Sequence, residues 1–450
     1  MNDKIHNLSQ ALSGFQTDDG RHVKKNRQQP LKVLHLLSQQ PAKTGSGVYL
    51  LAMTNLAGKA GYQQRVVIGL PGDSPLPEVQ PLEKNSLFAV RFDQPPVPFC
   101  IPGMSDIMPY PSTRFSTFTD TMREGYFQAF WEALNAAADG FEPDIIHSHH
   151  LWLLTALARI RFPDTPICVS SHGTELRQLK NAPQLAPFVL PGCRAVDRVF
   201  ALHEENKQQI MAAYGIPESR IQVTGAGFRS DLFRPADACI PAAEKDTLTI
   251  VYAGKISAPK GVPWLIEAMR RIQAPEGKTV RLLLAGAAGE GSGEEIGRQA
   301  ADLENVMFLG ALSQEELSKI LGEADVFVLP SFFEGLPLVL VESLACECRV
   351  VTTDLPGLDT WMPEDLCAER LVEKVPLPRL MGPDTPVPED LPGFVDNLAN
   401  ALTRQLEAAA TCRGETGISC RVAGFSWEGV FERIQAAYLE LAGLSKTVNG

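Results

Sequence analysis

Short apolar runs alternate with helical patterns along most of the chain, and this alternation constrains the fold more than any other feature of the sequence. LKVLHLL (Leu31–Leu37) and RVVIGL (Arg65–Leu70) have the length and composition of buried parallel strands, and a helical pattern separates them. Strands that alternate with helices in this way predict a doubly wound α/β domain. Further runs continue the series at Asp144–His150, Pro166–Gly173, Arg198–Asn206 and Ile221–Gly227.

The same alternation begins again after a segment rich in Pro and Ala, RPADACIPAAEKD (Arg234–Asp246). We therefore predict an α/β protein with two Rossmann-like doubly wound domains that face a central cleft. The predicted parts are a flexible tail at 1–29, an N-terminal domain at 30–235, a C-terminal domain at 246–424 and a final helix at 425–442. Strand candidates of the second domain are Thr247–Gly254, Val280–Gly286, Asn305–Gly310, Asp325–Ser331 and Arg349–Asp354.

Length and composition narrow the class of protein. A chain of 450 residues suits two domains of about 200 residues each better than a single core. Lys and Arg number 41 against 53 Asp and Glu, and the net charge of −12 argues against broad nucleic-acid binding. No apolar run reaches the roughly 18 residues that span a bilayer, and MNDKIHNLSQ lacks the apolar core of a signal peptide. The 9 cysteines, an odd number, are typical of free thiols, so we expect a soluble cytoplasmic protein.

The segment PSFFEGLPLVLVESLA (Pro330–Ala345) joins a strand candidate to a helical pattern. Pro337 suits the first turn of that helix, where its missing N–H is not needed. The backbone N–H groups near Gly335 and Leu336 would then point out of the helix N-terminus. Such an end attracts phosphate through its unpaired donors and its positive dipole. The segment therefore predicts a phosphate-binding helix start.

Two carboxylates and two lysines surround this predicted site. Glu334 stands just before the helix and Glu342 lies in its second turn, a spacing that suits hydroxyl groups on opposite sides of the phosphates. In AGKISAPKGV, Lys255 follows a strand end and Lys260 precedes a helix start, so both would lie at the carboxyl edge of the sheet, where ligands bind. Two ammonium groups there would neutralise a diphosphate leaving group. Solvated surface charges remain the alternative for each of the four.

The N-terminal half offers two weaker signals. Small residues at Thr44–Gly47 would let backbone amides, including that of Gly47, approach a phosphate. His172 ends a strand candidate and faces the predicted cleft, where it would donate to a sugar hydroxyl or stabilise developing charge. A histidine with satisfied hydrogen bonds at a strand end is the alternative.

HSHH (His147–His150) has the appearance of a metal cluster. On a strand, His147 and His149 share one face while His150 points away, and neither a carboxylate nor a Cys pair nearby completes a ligand set. The chain also contains no Asp-x-Asp, the carboxylate pair through which many sugar-nucleotide enzymes hold a divalent cation. We therefore predict no metal site.

These motifs, in this order, resemble those of the retaining glycosyltransferases of family 4, which have the GT-B fold. The similarity extends from about Leu31 to Leu441 and rests on TGSGV, SHGTEL, AGKISAPKGV, PSFFEGLPLVLVESLA and FSWEGVFERIQAAYLEL. The resemblance implies that the C-terminal domain binds a sugar nucleotide and the N-terminal domain binds the acceptor. It also implies that the final helix crosses back onto the N-terminal domain.

The resemblance assigns roles to individual residues. Lys255 and Lys260 occupy the positions that hold the diphosphate, although the first is more often arginine in the family. Glu334 would contact the hydroxyls of the donor sugar and Glu342 the ribose. His172 matches the histidine that reaches the donor sugar from the other domain.

Three further positions bear on the resemblance. Gly47 matches the glycine-rich loop beside the phosphates. Glu347 stands where the family usually has a glycine after the helix, so the geometry of that turn is in question. GAGF (Gly225–Phe228) replaces the common Asn-Gly-Val-Asp, which weakens any assignment there.

The activity implied is a retaining, metal-independent transfer of a hexosyl or N-acetylhexosaminyl group from a nucleotide-diphospho-sugar, UDP- or GDP-linked, with no other cofactor. The acceptor stays open: MPYPSTRF (Met108–Phe115) and the N-terminal motifs resemble branches that use small anionic acceptors, whereas other members use glycans or lipids. Peripheral membrane contact and a homodimer are also open, and no nucleic-acid partner is expected. The alternatives are a non-catalytic sugar-nucleotide-binding protein, a GT-B epimerase, and a phosphorylase, for which no pyridoxal-phosphate lysine is identifiable.

Overall fold

The computed structural model describes residues 30–41, 44–105, 108–236, 245–288, 293–334, 336–360, 362–382, 384–412 and 417–444. The chain divides into two compact units. Unit 1 extends to Gly225 and resumes at Val430, and unit 2 comprises Ala226–Gly429. The predicted tail at 1–29 and much of the predicted linker, residues 237–244, lie outside the described residues.

Unit 1 is built on a seven-stranded parallel sheet in the order β3-β2-β1-β6-β7-β8-β9. A two-residue pair, β4 and β5, lies outside it. The strands are β1 Lys32–Leu37, β2 Gln63–Pro71, β3 Leu87–Phe92, β4 Pro102–Gly103, β5 Thr113–Arg114, β6 Ile145–His149, β7 Ile167–Ser170, β8 Arg198–Ala201 and β9 Ile221–Val223. The helices are α1 Gly45–Lys59, α2 Asp120–Ala138, α3 Leu153–Arg161, α4 Thr174–Asn181, α5 Ala186–Arg194 and α6 Glu204–Tyr214.

Unit 2 is built on a six-stranded parallel sheet in the order β12-β11-β10-β13-β14-β15. Its strands are β10 Thr247–Ala253, β11 Thr279–Ala285, β12 Val306–Gly310, β13 Val326–Leu329, β14 Arg349–Thr353 and β15 Val372–Val375. Its helices are α7 Val262–Met269, α8 Gly293–Gln299, α9 Gln314–Glu323, α10 Leu338–Ala345, α11 Glu364–Ala368, α12 Leu391–Cys412 and α13 Ile418–Val422. The last helix, α14 Trp427–Leu441, begins in unit 2 and continues in unit 1.

Local sequence signals fix several of these elements. The side chain of Ser313 accepts a hydrogen bond from the Glu316 N–H while the Glu316 carboxylate accepts one from Ser313, a capping box that starts α9. Gly215 ends α6 in the left-handed conformation at φ 67°, which glycine adopts without strain. Burial of the apolar strands between helices then forms the hydrophobic core of each unit.

The order of strands reverses once in each sheet, and ligands of doubly wound sheets bind at such a reversal. In unit 1 the reversal lies between β1 and β6, and in unit 2 it lies between β10 and β13. The loops that leave the carboxyl ends of two such strands diverge to opposite faces of the sheet and leave a crevice there. The segments that follow β10 and β13 carry Lys255, Lys260 and Glu334.

The prediction of two parallel α/β sheets is confirmed, and the predicted strand runs match observed strands closely. Four strands were missed: the two-residue β4 and β5, and β3 and β15, which lie at sheet edges. The VEKV of β15 carries two charges, and half of its residues are partly exposed, so it lacks the continuous apolar run of a central strand. β3 is an edge strand of the sheet in unit 1, and partly exposed residues likewise interrupt its buried residues.

Candidate active site

In unit 2, a lysine and a glutamate that are distant in sequence meet beside the reversal point. Nζ of Lys260 lies 2.7 Å from Oε1 of Glu334, and it also donates to the Phe333 carbonyl over 3.2 Å. Both side chains are partly exposed, so the pair contributes only about 0–1 kcal/mol to stability. The pair therefore places one cation and one carboxylate side by side at the carboxyl ends of the strands, and breaking it would change the stability of the fold little.

Close backbone packing brings the two loops together. Gly261 has φ 74°, and a Cβ on it would lie 2.0 Å from the Pro330 carbonyl oxygen, so any larger residue would push the loops apart. The Phe332 N–H donates to the Pro259 carbonyl over 3.1 Å, which joins the same two loops directly. The glycine after Lys260 is thus part of the geometry that sets Lys260 against Glu334.

Lys255 occupies the loop after β10 and is exposed. Its carbonyl accepts a 2.8 Å hydrogen bond from the hydroxyl of Tyr252, which is fully buried. Burial, followed by the negative charge of Glu334, raises the pKa of Tyr252, so this hydroxyl stays protonated and able to donate. The backbone of Lys255 is therefore anchored while its ammonium group faces solvent.

Glu342 lies in the second turn of α10 and is only 8% exposed. Burial raises the pKa of this carboxyl from 4.5 to about 7. A buried carboxyl destabilises the fold unless it is compensated. A group kept in such surroundings beside a helix start is a candidate for ligand binding.

The predicted helix start is shifted by one residue. Pro337 is the residue before α10 rather than a member of its first turn, and α10 begins at Leu338. The Leu336 carbonyl accepts from the Leu338 N–H over 2.9 Å, which tightens the entry to the helix. Leu336 is partly exposed, and Gly335 lies outside the described residues.

The turn after α10 keeps a left-handed residue although the residue is not glycine. Glu347 has φ 66°, a conformation that is strained for a residue with a Cβ. Its two carboxylate oxygens accept hydrogen bonds from the Ser419 N–H at 2.9 Å and the Ile418 N–H at 3.2 Å, at the start of α13. Charge at a helix N-terminus is stabilising, so the capping contacts offset the backbone strain.

In unit 1, His172 follows β7 and lies within a cage of aromatic rings. The ring centroids of His150, Tyr49 and His149 lie 4.7, 5.3 and 5.4 Å from that of His172. Nδ1 of His149 and Nε2 of His172 are 3.1 Å apart. The His172 N–H donates to the buried carboxylate of Glu175 over 3.1 Å. These contacts fix the position of the His172 ring, and the residue as a whole is partly exposed.

The imidazoles of His35, His147, His149 and His172 are neutral at neutral pH. Burial lowers the pKa of His172 to about 3, and the neighbouring His150 acts in the same direction. Burial lowers the pKa of His35 to about 4, and burial together with neighbouring imidazoles lowers the pKa values of His147 and His149 well below 6.5. These four imidazoles therefore act through hydrogen bonds rather than through fixed positive charge.

The histidines of HSHH bond to neighbouring side chains in the part of unit 1 that the structure describes. His147 Nε2 lies 2.8 Å from Ser170 Oγ, and its Nδ1 lies 2.5 Å from the Tyr438 hydroxyl on α14. His150 Nδ1 lies 3.3 Å from Glu175 Oε2. Among the described residues, no group of three or more His, Cys, Asp or Glu side chains is arranged to hold a metal ion.

Gly47 is buried in the first turn of α1, and its N–H is already engaged. It donates over 3.1 Å to the hydroxyl of Thr44, which caps the helix. The Thr44 hydroxyl also lies 3.0 Å from that of Ser46. The small residues of this turn would let a phosphate approach its backbone. The N–H of Gly47, however, is bonded to the capping side chain of Thr44.

Two family models match the chain, one in each unit. The model described as Glycosyltransferase Family 4 matches residues 44–232, and the model described as Glycosyl transferases group 1 matches residues 247–374. The second match contains Lys255, Lys260, Glu334 and Glu342. The chain thus contains a family 4 glycosyltransferase domain followed by a group 1 glycosyl transferase domain.

Relatives of this glycosyltransferase include two named D-inositol 3-phosphate glycosyltransferases. That of Mycolicibacterium smegmatis is 27% identical over 319 residues, which are 66% of this chain and 67% of the relative. That of Catenulispora acidiphila, whose name carries the number 2, is 29% identical over 245 residues, 48% of this chain and 56% of the relative. The chain thus spans about half to two thirds of the length of the curated relatives it matches.

Solved structures of the GT-B type share the fold of this glycosyltransferase. A glycosyltransferase from Rickettsia africae has a TM-score of 0.61 at 15% identity and covers 92% of this chain and 98% of its own. HepE from Anabaena, in complex with UDP and glucose, has a TM-score of 0.55 at 16% identity and covers 91% and 100%. In the described residues, no helix combines the length and the apolar character needed to cross a membrane.

Sequence reasoning did not identify Tyr49, Glu175 or Tyr438 as neighbours of the histidines. Tyr49 lies on α1, Glu175 in the first turn of α4, and Tyr438 on the last helix of the chain. Glu175 follows His172 by three residues, the spacing at which a helix carboxylate can bond a preceding N–H, and this signal was available. Tyr438 had only an apolar stripe to mark it, which indicates burial but no partner.

Proposed function

We propose that this chain transfers a hexosyl or N-acetylhexosaminyl group from a nucleotide-diphospho-sugar to an acceptor hydroxyl, without a metal and with retention of the anomeric configuration. The observation that carries the proposal is the meeting of Lys260 and Glu334 at the reversal point of the second sheet, close in sequence to the buried Glu342. A diphosphate requires cations and a sugar requires carboxylate acceptors, and this edge supplies both.

Each residue of this edge has a role in the proposed reaction. The ammonium groups of Lys255 and Lys260 stabilise the charge that develops on the leaving diphosphate, and the start of α10 adds backbone donors near Gly335 and Leu336. Glu334 accepts hydrogen bonds from the donor sugar, and Glu342 accepts them from the ribose. Lys260 then exchanges its contact with Glu334 for the diphosphate.

The chemistry requires no enzyme nucleophile. The bond between the anomeric carbon and the diphosphate oxygen breaks, and the acceptor oxygen forms its bond on the same face of the sugar. The acceptor proton passes to the departing diphosphate oxygen, so atoms and charge balance. The absence of Asp-x-Asp from the sequence supports lysines, rather than a divalent cation, as the diphosphate ligands. His172 is proposed to donate a hydrogen bond to the same donor molecule.

The names of relatives support the proposed substrates. HepE has been solved in complex with UDP, with UDP and glucose, and with UDP-glucose, which favours a uridine donor here, with GDP-linked sugars as the alternative. Relatives are named for D-inositol 3-phosphate, which favours a small phosphorylated polyol as acceptor over a lipid or a glycan. We propose a cytoplasmic location for the protein, because nucleotide sugars are available there.

A panel of UDP-, GDP- and ADP-sugars tests the proposal. We expect slow release of nucleoside diphosphate from one donor without acceptor and faster release with a phosphorylated polyol. K260A and E334Q should each lower the rate on the order of 100-fold, because each removes transition-state stabilisation. K319A, which removes an exposed lysine of α9, is the matched control and should behave as wild type. Tight nucleotide binding without any turnover would instead favour a non-catalytic binding protein.

A further inference from the structure

One ring nitrogen of His149 bonds to His172, and the other has no hydrogen-bond partner among the described residues. Nδ1 of His149 lies 3.1 Å from Nε2 of His172, and the two rings are nearly parallel, at 22°. His149 is only 2% exposed. Among the described residues, no hydrogen-bond partner reaches its other nitrogen, Nε2. The direction of the bond between the two rings therefore decides what is buried at that nitrogen.

Both rings are neutral, so each carries one proton. Burial, with the neighbouring imidazoles, lowers the pKa values of both far below neutrality. In a neutral imidazole one nitrogen donates and the other accepts. Two arrangements are then possible across the 3.1 Å contact: either His149 donates from Nδ1, or His172 donates from Nε2.

The two arrangements differ in the group that is left buried. If His172 donates, His149 must carry its proton on Nε2, where a buried N–H finds no acceptor in the part of the chain that the structure describes. If His149 donates, the same nitrogen holds only a lone pair. Buried N–H groups without a partner are the rarer of the two in proteins, so donation by His149 is favoured. His172 then accepts at Nε2 and carries its own proton on Nδ1.

We propose that His149 is a positioning residue that holds His172 in the Nδ1–H form, as a hydrogen-bond donor toward substrate. The surrounding contacts already fix the place of the ring, since His150 and Tyr49 pack against it and Glu175 accepts from its backbone N–H. What His149 adds is the position of the proton. The identity of the substrate rests on the proposed function, whereas the tautomer does not.

The tautomer can be measured without any substrate. In ¹⁵N-histidine-labelled full-length protein, long-range ¹H–¹⁵N spectra distinguish protonated from unprotonated ring nitrogens, and H172Q identifies the His172 signals by their loss. We expect Nδ1 of His172 to be protonated in the wild type. H149N, which retains a short N–H donor, should keep this form, and H149L should not. H35N, which removes another buried histidine that does not bond His172, is the matched control.

Kinetics provide the second readout. H149L should lower kcat roughly 10-fold or more with little change in KM for the donor, because ring position is kept and donation is lost. H149N should recover most of the rate, and H35N should stay near the wild type. A wild-type His172 protonated on Nε2 would overturn the proposal whether or not H149L folds. An unchanged tautomer in a folded H149L would overturn it as well. If no sugar nucleotide is turned over, the proposed function fails while the tautomer result stands.

Discussion

Replacing Glu342 with Gln should stabilise the protein, and only above a defined pH. The carboxyl is 8% exposed, and burial raises its pKa from 4.5 to about 7. A folded-state pKa above the unfolded value means that stability is greatest at low pH and is lost as the group ionises. The cost therefore accumulates between about pH 4.5 and pH 7 and stays constant above that range. A difference of two to three pKa units corresponds to about 3 kcal/mol.

The assay is thermal unfolding of the full-length protein at pH 5, 6, 7 and 8. For a unit of about 200 residues, 3 kcal/mol corresponds to roughly 6 to 12 °C in Tm. E342Q should match the wild type near pH 5 within a few degrees and exceed it by that amount at pH 8. E323Q, which alters an exposed glutamate at the end of α9, is the control for loss of one charge.

The same variant should bind the nucleotide less well. Hydrogen bonds from the ribose hydroxyls to a charged carboxylate contribute about 1–3 kcal/mol to the free energy of binding. The neutral amide of Gln loses this contribution, so UDP affinity should fall on the order of 10-fold or more. Stability and binding would then change in opposite directions, as expected of a group retained for function. Parallel pH profiles for E342Q and the wild type would refute the claim that Glu342 ionises at a cost to folding.

Three further changes test other parts of the structure. Lys255→Ala should lower kcat on the order of 100-fold without changing Tm, since we propose that the exposed ammonium group stabilises the leaving diphosphate; wild-type turnover would contradict this role. Glu347→Ala should destabilise the protein by about 1 kcal/mol more than Glu347→Gly in urea unfolding, because alanine keeps the strained φ and glycine relieves it; equal losses would show that strain is unimportant. Tyr438→Phe should cost about 1–3 kcal/mol by leaving His147 Nδ1 unbonded, and an unchanged Tm would contradict that.

Much of the fold was predictable because parallel strands buried on both faces are continuous apolar runs. Strands such as β1 and β10 have this character along most of their length, and the sequence marks them plainly. β15 escaped prediction because it lies at an edge, where one side of the strand is less covered and charges are tolerated. Edge position is a property of the sheet and is not visible in the strand itself.

The elements that carry the candidate residues were predictable from the sequence, but the contacts among those residues were not. The start of α10 and the lysines near β10 follow from local patterns, and the strand order then explains why they share one edge. The 2.7 Å pair of Lys260 and Glu334 depends on the close approach permitted by Gly261, which no periodicity reveals. The bond from Tyr438 to His147 joins residues almost 300 positions apart, so only the folded chain could show it.

The most direct test of the account is the configuration of the sugar that the protein first releases from its donor. We would add EDTA to the full-length protein with an α-linked donor such as UDP-glucose, or whichever donor the panel identifies, and follow the anomeric signals by ¹H NMR in real time. The account predicts that the nucleoside diphosphate and the α anomer appear together and that EDTA leaves the rate unchanged. Release of the β anomer first, or a rate that EDTA abolishes and Mg²⁺ or Mn²⁺ restores, would contradict it.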